Sequence, residues 1–143
     1  MSAHELSHLW FVGADVSSWE DWLNESFAEY ASLLFIEDKY GRQAYDNVID
    51  KFKEYTEKCP SIKDSDRNSK KGSKVRYKGT VLLHQIRELF GIESIKEVFN
   101  QLDQLKVKRT ENLINELKLT NEDVAYYIEE KIDEWRRNIY ESF

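Results

Sequence analysis

Apolar residues recur three and four positions apart through most of this chain, the spacing that gathers them on one face of an α-helix. Leu6, Leu9, Trp10 and Phe11 define a short helical segment over 3–12, ended by Gly13. Trp22, Leu23, Phe27, Tyr30, Ala31, Leu34 and Phe35 define a second over 19–40, with Gly41 as its stop. A third spans 42–58 through Tyr45, Val48, Ile49, Phe52 and Tyr55 and is closed by Pro60. The stretch "SIKDSDRNSKKGSK", 61–74, has no such period and reads as a mobile loop, its "KKGSK" a solvated run. The period resumes at Leu82, Leu83, Ile86, Leu89 and Phe90 before Gly91, then at Ile95, Val98, Phe99, Leu102 and Leu105 over 93–106. A short helix follows over 111–118. The last starts where Thr120 and Asp123 form a loose capping box ahead of Val124, Ile128, Trp135 and Ile139. Without an internal repeat or heptad array, the pattern predicts one all-α domain over 1–143, an irregular bundle of about six or seven helices.

Composition agrees with that picture. The chain is 41% hydrophobic with four Trp, eight Tyr and seven Phe, enough to fold around a single core, while five Gly and one Pro leave few turns for a many-stranded sheet. A formal charge of −6, from 27 acidic and 21 basic residues, argues against general affinity for nucleic acid or an anionic membrane. No run of about 18 apolar residues occurs and no basic-then-apolar leader is seen, so neither a spanning helix nor a signal peptide is expected. The lone Cys59 cannot form an internal disulfide and fits a reducing compartment. The expected location is cytoplasmic.

Chemistry enters with "HELSH", residues 4–8. Four residues apart on a helix, His4 and His8 lie one turn above each other and can present two imidazole nitrogens to one metal ion. Glu5 is offset around the helix, placed to face a metal-bound water instead of the metal. The bland alternative is a pair of solvated or core-edge histidines, because the pattern fixes only three positions. Glu25, on the next predicted helix, supplies the carboxylate that completes a His₂Glu zinc set with one position open.

The run "HELSHLWFVGADVSSWEDWLNESFAEY", 4–30, resembles the M1 family of gluzincin zinc metallopeptidases, aminopeptidases whose signature reads HELAHxWFGN, then Trp, then WLNEGFA. The resemblance implies His4, His8 and Glu25 as zinc ligands and Glu5 as general base. It also implies a fold like the C-terminal helical part of a thermolysin-like gluzincin catalytic domain. Sixteen residues lie between His8 and Glu25, two fewer than in the family pattern, a shortening that falls in the turn around "GADVSS". Ser26 stands where the family has glycine. Downstream, "VRYKGTVLLHQIRELFG", 75–91, resembles the family segment in which a tyrosine two residues before a Lys-Gly pair donates to the oxyanion of the tetrahedral intermediate. An ungapped match puts Arg76 at that position, and Tyr77 serves if the segment shifts by one.

What the family places ahead of its motif helix, a β-rich half with a substrate-pairing sheet edge and an amino-group clamp, is not in these residues. Two functions therefore stand. One is a zinc aminopeptidase acting on peptides, with this chain as the half that carries the metal. The other is a non-catalytic helical domain with a vestigial or structural metal site, acting as a scaffold. The uncovered face of the 3–12 helix is expected to favour self-association. Glu29, one turn past Glu25, is either a partner for a ligating imidazole or a solvated carboxylate. His84 is expected to be a packed or surface histidine, and Trp10, Trp19, Trp22 and Trp135 packing anchors.

Overall fold

The computed structural model describes residues 13–15, 17–57, 62 and 75–132. Within them the regular structure is helical: a 3₁₀ turn, Trp19–Asp21, leads into α1 (Trp22–Tyr40), α2 (Arg42–Thr56), α3 (Val75–Phe90), α4 (Ile92–Gln104), α5 (Thr110–Thr120) and α6 (Glu122–Lys131). The all-α class read from the periodicity is therefore what the described residues adopt. Trp10, Trp135, Ile139 and the 3–12 segment lie outside the described residues.

Two glycines set the topology. Gly41 and Gly91 both sit at φ 94°, a backbone region that other residues enter only at a cost, and each is the single residue between two helices. The chain thus folds back sharply from α1 into α2 and from α3 into α4. Helix α3 occupies the centre, packed on α1, α2, α4 and α6. Phe27, Tyr30 and Leu33 of α1, Tyr45 and Ile49 of α2, Leu83 and Ile86 of α3, and Val98 of α4 are each at most 1% exposed and form the heart of the core. Trp22 is buried and Trp19 packs partly buried against the same core, as anchors should.

The structure departs from the sequence reading in four places. Helix α3 begins at Val75, ahead of its apolar stripe, because tertiary contacts hold its polar first turn. There the Arg76 carbonyl accepts hydrogen bonds from Ser26 Oγ and Thr80 Oγ1, both at 2.8 Å. The cap of α6 is Asn121, whose side chain accepts the Val124 N–H. Thr120 instead closes α5, its hydroxyl turned back to the Glu116 carbonyl. Phe35, Tyr55 and Leu89 are exposed by 52%, 50% and 63%, lying at the edge of stripes whose period they share. Of the loop over 61–74, Ile62 is described, and it is buried in the core.

A buried polar chain crosses the bundle. The Tyr45 hydroxyl bonds the Tyr30 hydroxyl at 2.9 Å and His84 Nδ1 at 2.7 Å, so the three satisfy one another inside the core. His84 is a packed histidine, 6% exposed. Burial holds its pKa below the usual 6.5; Lys53 and Arg42 push the same way, while Glu88 and Asp46 oppose. The unfolded chain then binds a proton that the folded chain resists, so stability is full above pH 6.5 and falls as pH drops below it. Urea titrations at pH 7.5 and 5.5 are expected to show a larger loss for the wild-type chain than for His84→Gln. Equal losses would remove His84 as the cause.

Candidate metal centre

Helix α1 starts from a built platform. Ser18 caps the 3₁₀ turn by accepting the Glu20 N–H, and the Glu20 carboxylate accepts both the N–H (2.6 Å) and the hydroxyl (3.0 Å) of Thr110 at the start of α5. Trp22 Nε1 donates to the same Thr110 hydroxyl at 2.7 Å. The first turn of α1 is thereby tied to the start of α5.

Asn24, the asparagine of "WLNE", holds the chain that arrives from the motif segment. Its amide donates to the Ala14 carbonyl at 3.1 Å and its oxygen accepts the Ala14 N–H at 3.2 Å, while the same amide also reaches buried Asp21 at 2.7 Å. Ala14 is itself buried. This two-way clamp fixes a point six residues after His8 against the turn of α1 that bears Glu25.

Glu25 is half-buried on that turn, its side chain 25% exposed. Across from it, on α3, Arg76 Nη1 lies 3.9 Å from Glu25 Oε2. Arg76 Nη2 donates to the Tyr77 hydroxyl, and the guanidinium lies over the Tyr77 ring, 4.6 Å from its centroid. Burial works to lower the Arg76 pKa, but the Tyr77 hydroxyl and the carboxylates of Glu29 and Glu25 outweigh it and keep the group charged. Glu29 thus belongs to the same electrostatic group as Glu25. The Tyr77 ring stacks on Phe52 at 4.6 Å, so Tyr77 both packs between α2 and α3 and presents its hydroxyl to Arg76.

What brings these two helices so close is a pair of small residues. A Cβ added to Gly79 would fall 2.1 Å from Ser26 Oγ and 3.0 Å from Trp22 Cε3, so α3 passes α1 at a distance only glycine allows. Sequence reasoning missed that contact and the Arg76 to Glu25 approach that depends on it. The signal was present in "ESFA" and "YKGT", small residues on two helices with apolar neighbours.

His4, Glu5 and His8 lie outside the described residues. Among the described residues no group of three or more His, Cys, Asp or Glu side chains is placed to hold a metal ion, so a site at Glu25 needs ligands from outside them. Two imidazoles and a carboxylate are the donor set that suits zinc. Among the described residues no helix is long and apolar enough to cross a membrane.

Comparison with curated proteins gives no match, and comparison with solved structures gives none either. The model of the Peptidase family M1 domain matches residues 1–135, nearly the whole chain and every residue considered above as a ligand or catalytic group. The chain therefore belongs to peptidase family M1.

Proposed function

We propose that this chain carries the metal-binding and water-activating residues of a zinc-dependent, aminopeptidase-like peptidase acting on peptides. In this reading His4, His8 and Glu25 hold the zinc ion. The observation that carries it is the family match over residues 1–135, which takes in both "HELSH" and "WLNE". The Asn24 clamp supports it as well. Six residues from His8 to the fixed Ala14 span at most about 20 Å extended, which keeps His8 within reach of the turn of α1 that bears Glu25.

Zinc held there would supply a Lewis acid for the scissile carbonyl and would lower the pKa of a water. Glu5 accepts the proton of the attacking water and passes it to the leaving amine. Tyr77, or Arg76 in its place, donates to the developing oxyanion. Glu29 accepts the second ring N–H of a ligating imidazole and fixes its orientation.

A second reading, a non-catalytic helical domain with a vestigial metal site, is favoured by one observation. Among the described residues every regular element is helical, so none of them offers a sheet edge to pair with a peptide backbone. Metal content separates a working ligand set from a lost one. The chain is expected to bind about one zinc per molecule, and His8→Ala and Glu25→Ala almost none under the same loading. Elemental analysis after dialysis reads this directly, and equal zinc in all three proteins would reject the ligand assignment.

A further inference from the structure

We infer that the cleft between the 3₁₀ turn, α5 and the loop joining α4 to α5 binds an acidic peptide segment that carries an apolar side chain beside its carboxylates. The inference goes beyond the zinc reading and does not depend on it.

The cleft has a volume of about 1100 Å³, room for several peptide residues. Its walls come from Gly13 and Asp15, from the 3₁₀ turn, from residues 106–109 of the loop, and from α5. They are tied together in the free chain. Lys108 spends all three ammonium protons on the carbonyls of Leu102 (2.6 Å), Asp103 (3.0 Å) and Leu105 (3.1 Å), which closes the C-terminus of α4 and fixes the loop. Gly13 lies against the stem of that lysine, where an added Cβ would meet Lys108 Cγ at 3.3 Å. The Val107 carbonyl accepts from the Asn112 amide and from the Arg109 N–H, both at 3.1 Å, and Glu20 joins the turn to Thr110. Walls held this way lose little freedom when a ligand binds.

The described lining holds four cations, Lys106, Lys108, Arg109 and Lys118, and four carboxylates, Asp15, Glu20, Glu111 and Glu129. Most of them are already engaged. Thr110 takes Glu20, the N–H and hydroxyl of Ser17 take Asp15, and Lys118 lies 3.2 Å from Glu129. Among the described residues, the Lys106 and Arg109 side chains have no hydrogen-bond or ion-pair partner, and neither do the Trp19 indole N–H and the Asn115 amide. Glu111 is the one lining carboxylate left without a partner among them. Free donors thus outnumber free acceptors, and the free charge is positive in a chain whose formal charge is −6. Val107 stands exposed between the two free cations, and Trp19 is partly exposed in the same cleft. Carboxylates for Lys106 and Arg109, with an apolar side chain for Val107 and Trp19, match that pattern. A nucleic acid would be repelled by the acidic molecule around it.

Fluorescence anisotropy of a labelled hexapeptide of Glu, Asp, Phe and Leu, titrated with the 143-residue chain in the presence of a metal chelator, tests this. Saturable binding with Kd below about 100 μM is expected. Lys106→Gln, Arg109→Gln and Val107→Ser should each weaken it about threefold, and the double glutamine variant about tenfold. Arg109→Lys keeps the charge and should bind like wild type, as should Lys51→Gln, an equal charge change on α2 outside the lining. Peptides with Lys for the acidic residues, or Ala for Phe and Leu, should bind at least about tenfold more weakly. All four substituted side chains are exposed, and circular dichroism checks that the helices are retained. No saturation below about 1 mM, equal affinity of the double variant and wild type, or equal affinity for the Lys-bearing peptide overturns the inference. So does an oligonucleotide that binds as tightly, or glutarate that displaces the peptide at the peptide's own Kd, since the ligand would then be a nucleic acid or a small diacid. Self-association that disappears in the double variant would make a second copy the occupant and overturn it as well. These readouts are taken without zinc, so the metal content of His8→Ala and Glu25→Ala bears on the zinc reading alone.

Discussion

Gly79→Ala is expected to cost about 3 kcal/mol of stability, the upper end of overpacking costs in a filled interior. In an open helix the same change would stabilise by roughly 0.5–1 kcal/mol, because alanine loses less backbone entropy on folding. Here the added methyl would sit 2.1 Å from Ser26 Oγ and 2.6 Å from Ser26 Cβ, so α1 and α3 must part. For a chain of this length the shift in Tm is roughly 6–12 °C downward. Ser26→Gly removes both of those atoms and leaves only the 3.0 Å approach to Trp22, so the double variant is expected to recover part of the loss. Thermal melts of the four proteins in this cycle check it. Additive losses would show that the helices do not cross at this pair. The same crossing sets Arg76 against Glu25, so Gly79→Ala is also expected to alter zinc binding, which a remote packing defect would leave alone.

The second large effect concerns turnover. Glu5 and a bound zinc can activate water, yet peptide hydrolysis also depends on holding the scissile bond against that water. Orientation of this kind can supply roughly 7–11 kcal/mol of barrier lowering. Among the described residues no strand and no amino-group clamp provides it. Hydrolysis of a panel of amino-acid anilides by the 143-residue chain is therefore expected to run about five or more orders of magnitude below that of a peptidase with a complete cleft. Zinc binding should be retained in Glu5→Gln, which keeps the shape of the side chain and removes only its basicity. Robust hydrolysis by this chain that vanishes in Glu5→Gln would mean that these residues build their own substrate cleft.

The helices were legible because their signal is local. Apolar spacing located α1 to α4 and α6, and the stops at Gly41 and Gly91 fell where the backbone turns through positive φ. Glu25 was legible as a residue of the second helix because "WLNE" sits inside a strong stripe. The extra first turn of α3 was not, since Val75 to Gly79 is held by Ser26 and Phe52, residues distant in sequence that periodicity cannot see. Phe35 and Leu89 show the same limit from the other side. Period places a residue on a stripe, but only the neighbouring helices decide how wide a stripe is covered. The Asn121 cap was missed because threonine, asparagine and aspartate stand close together there, and the end of α5 decides which of them is free to cap α6. The partnership of Arg76 with Glu25 depends on a helix crossing, which no single stretch of the sequence encodes.

The central claim, that this chain holds zinc with two imidazoles and the Glu25 carboxylate, is tested most directly by X-ray absorption at the zinc edge of the metal-loaded protein. The account predicts two imidazole nitrogens and carboxylate oxygen at about 2.0–2.2 Å, with no sulfur and with almost no zinc signal left in His8→Ala under the same loading. A zinc–sulfur distance of about 2.3 Å from Cys59, or a spectrum unchanged by His8→Ala, would contradict it.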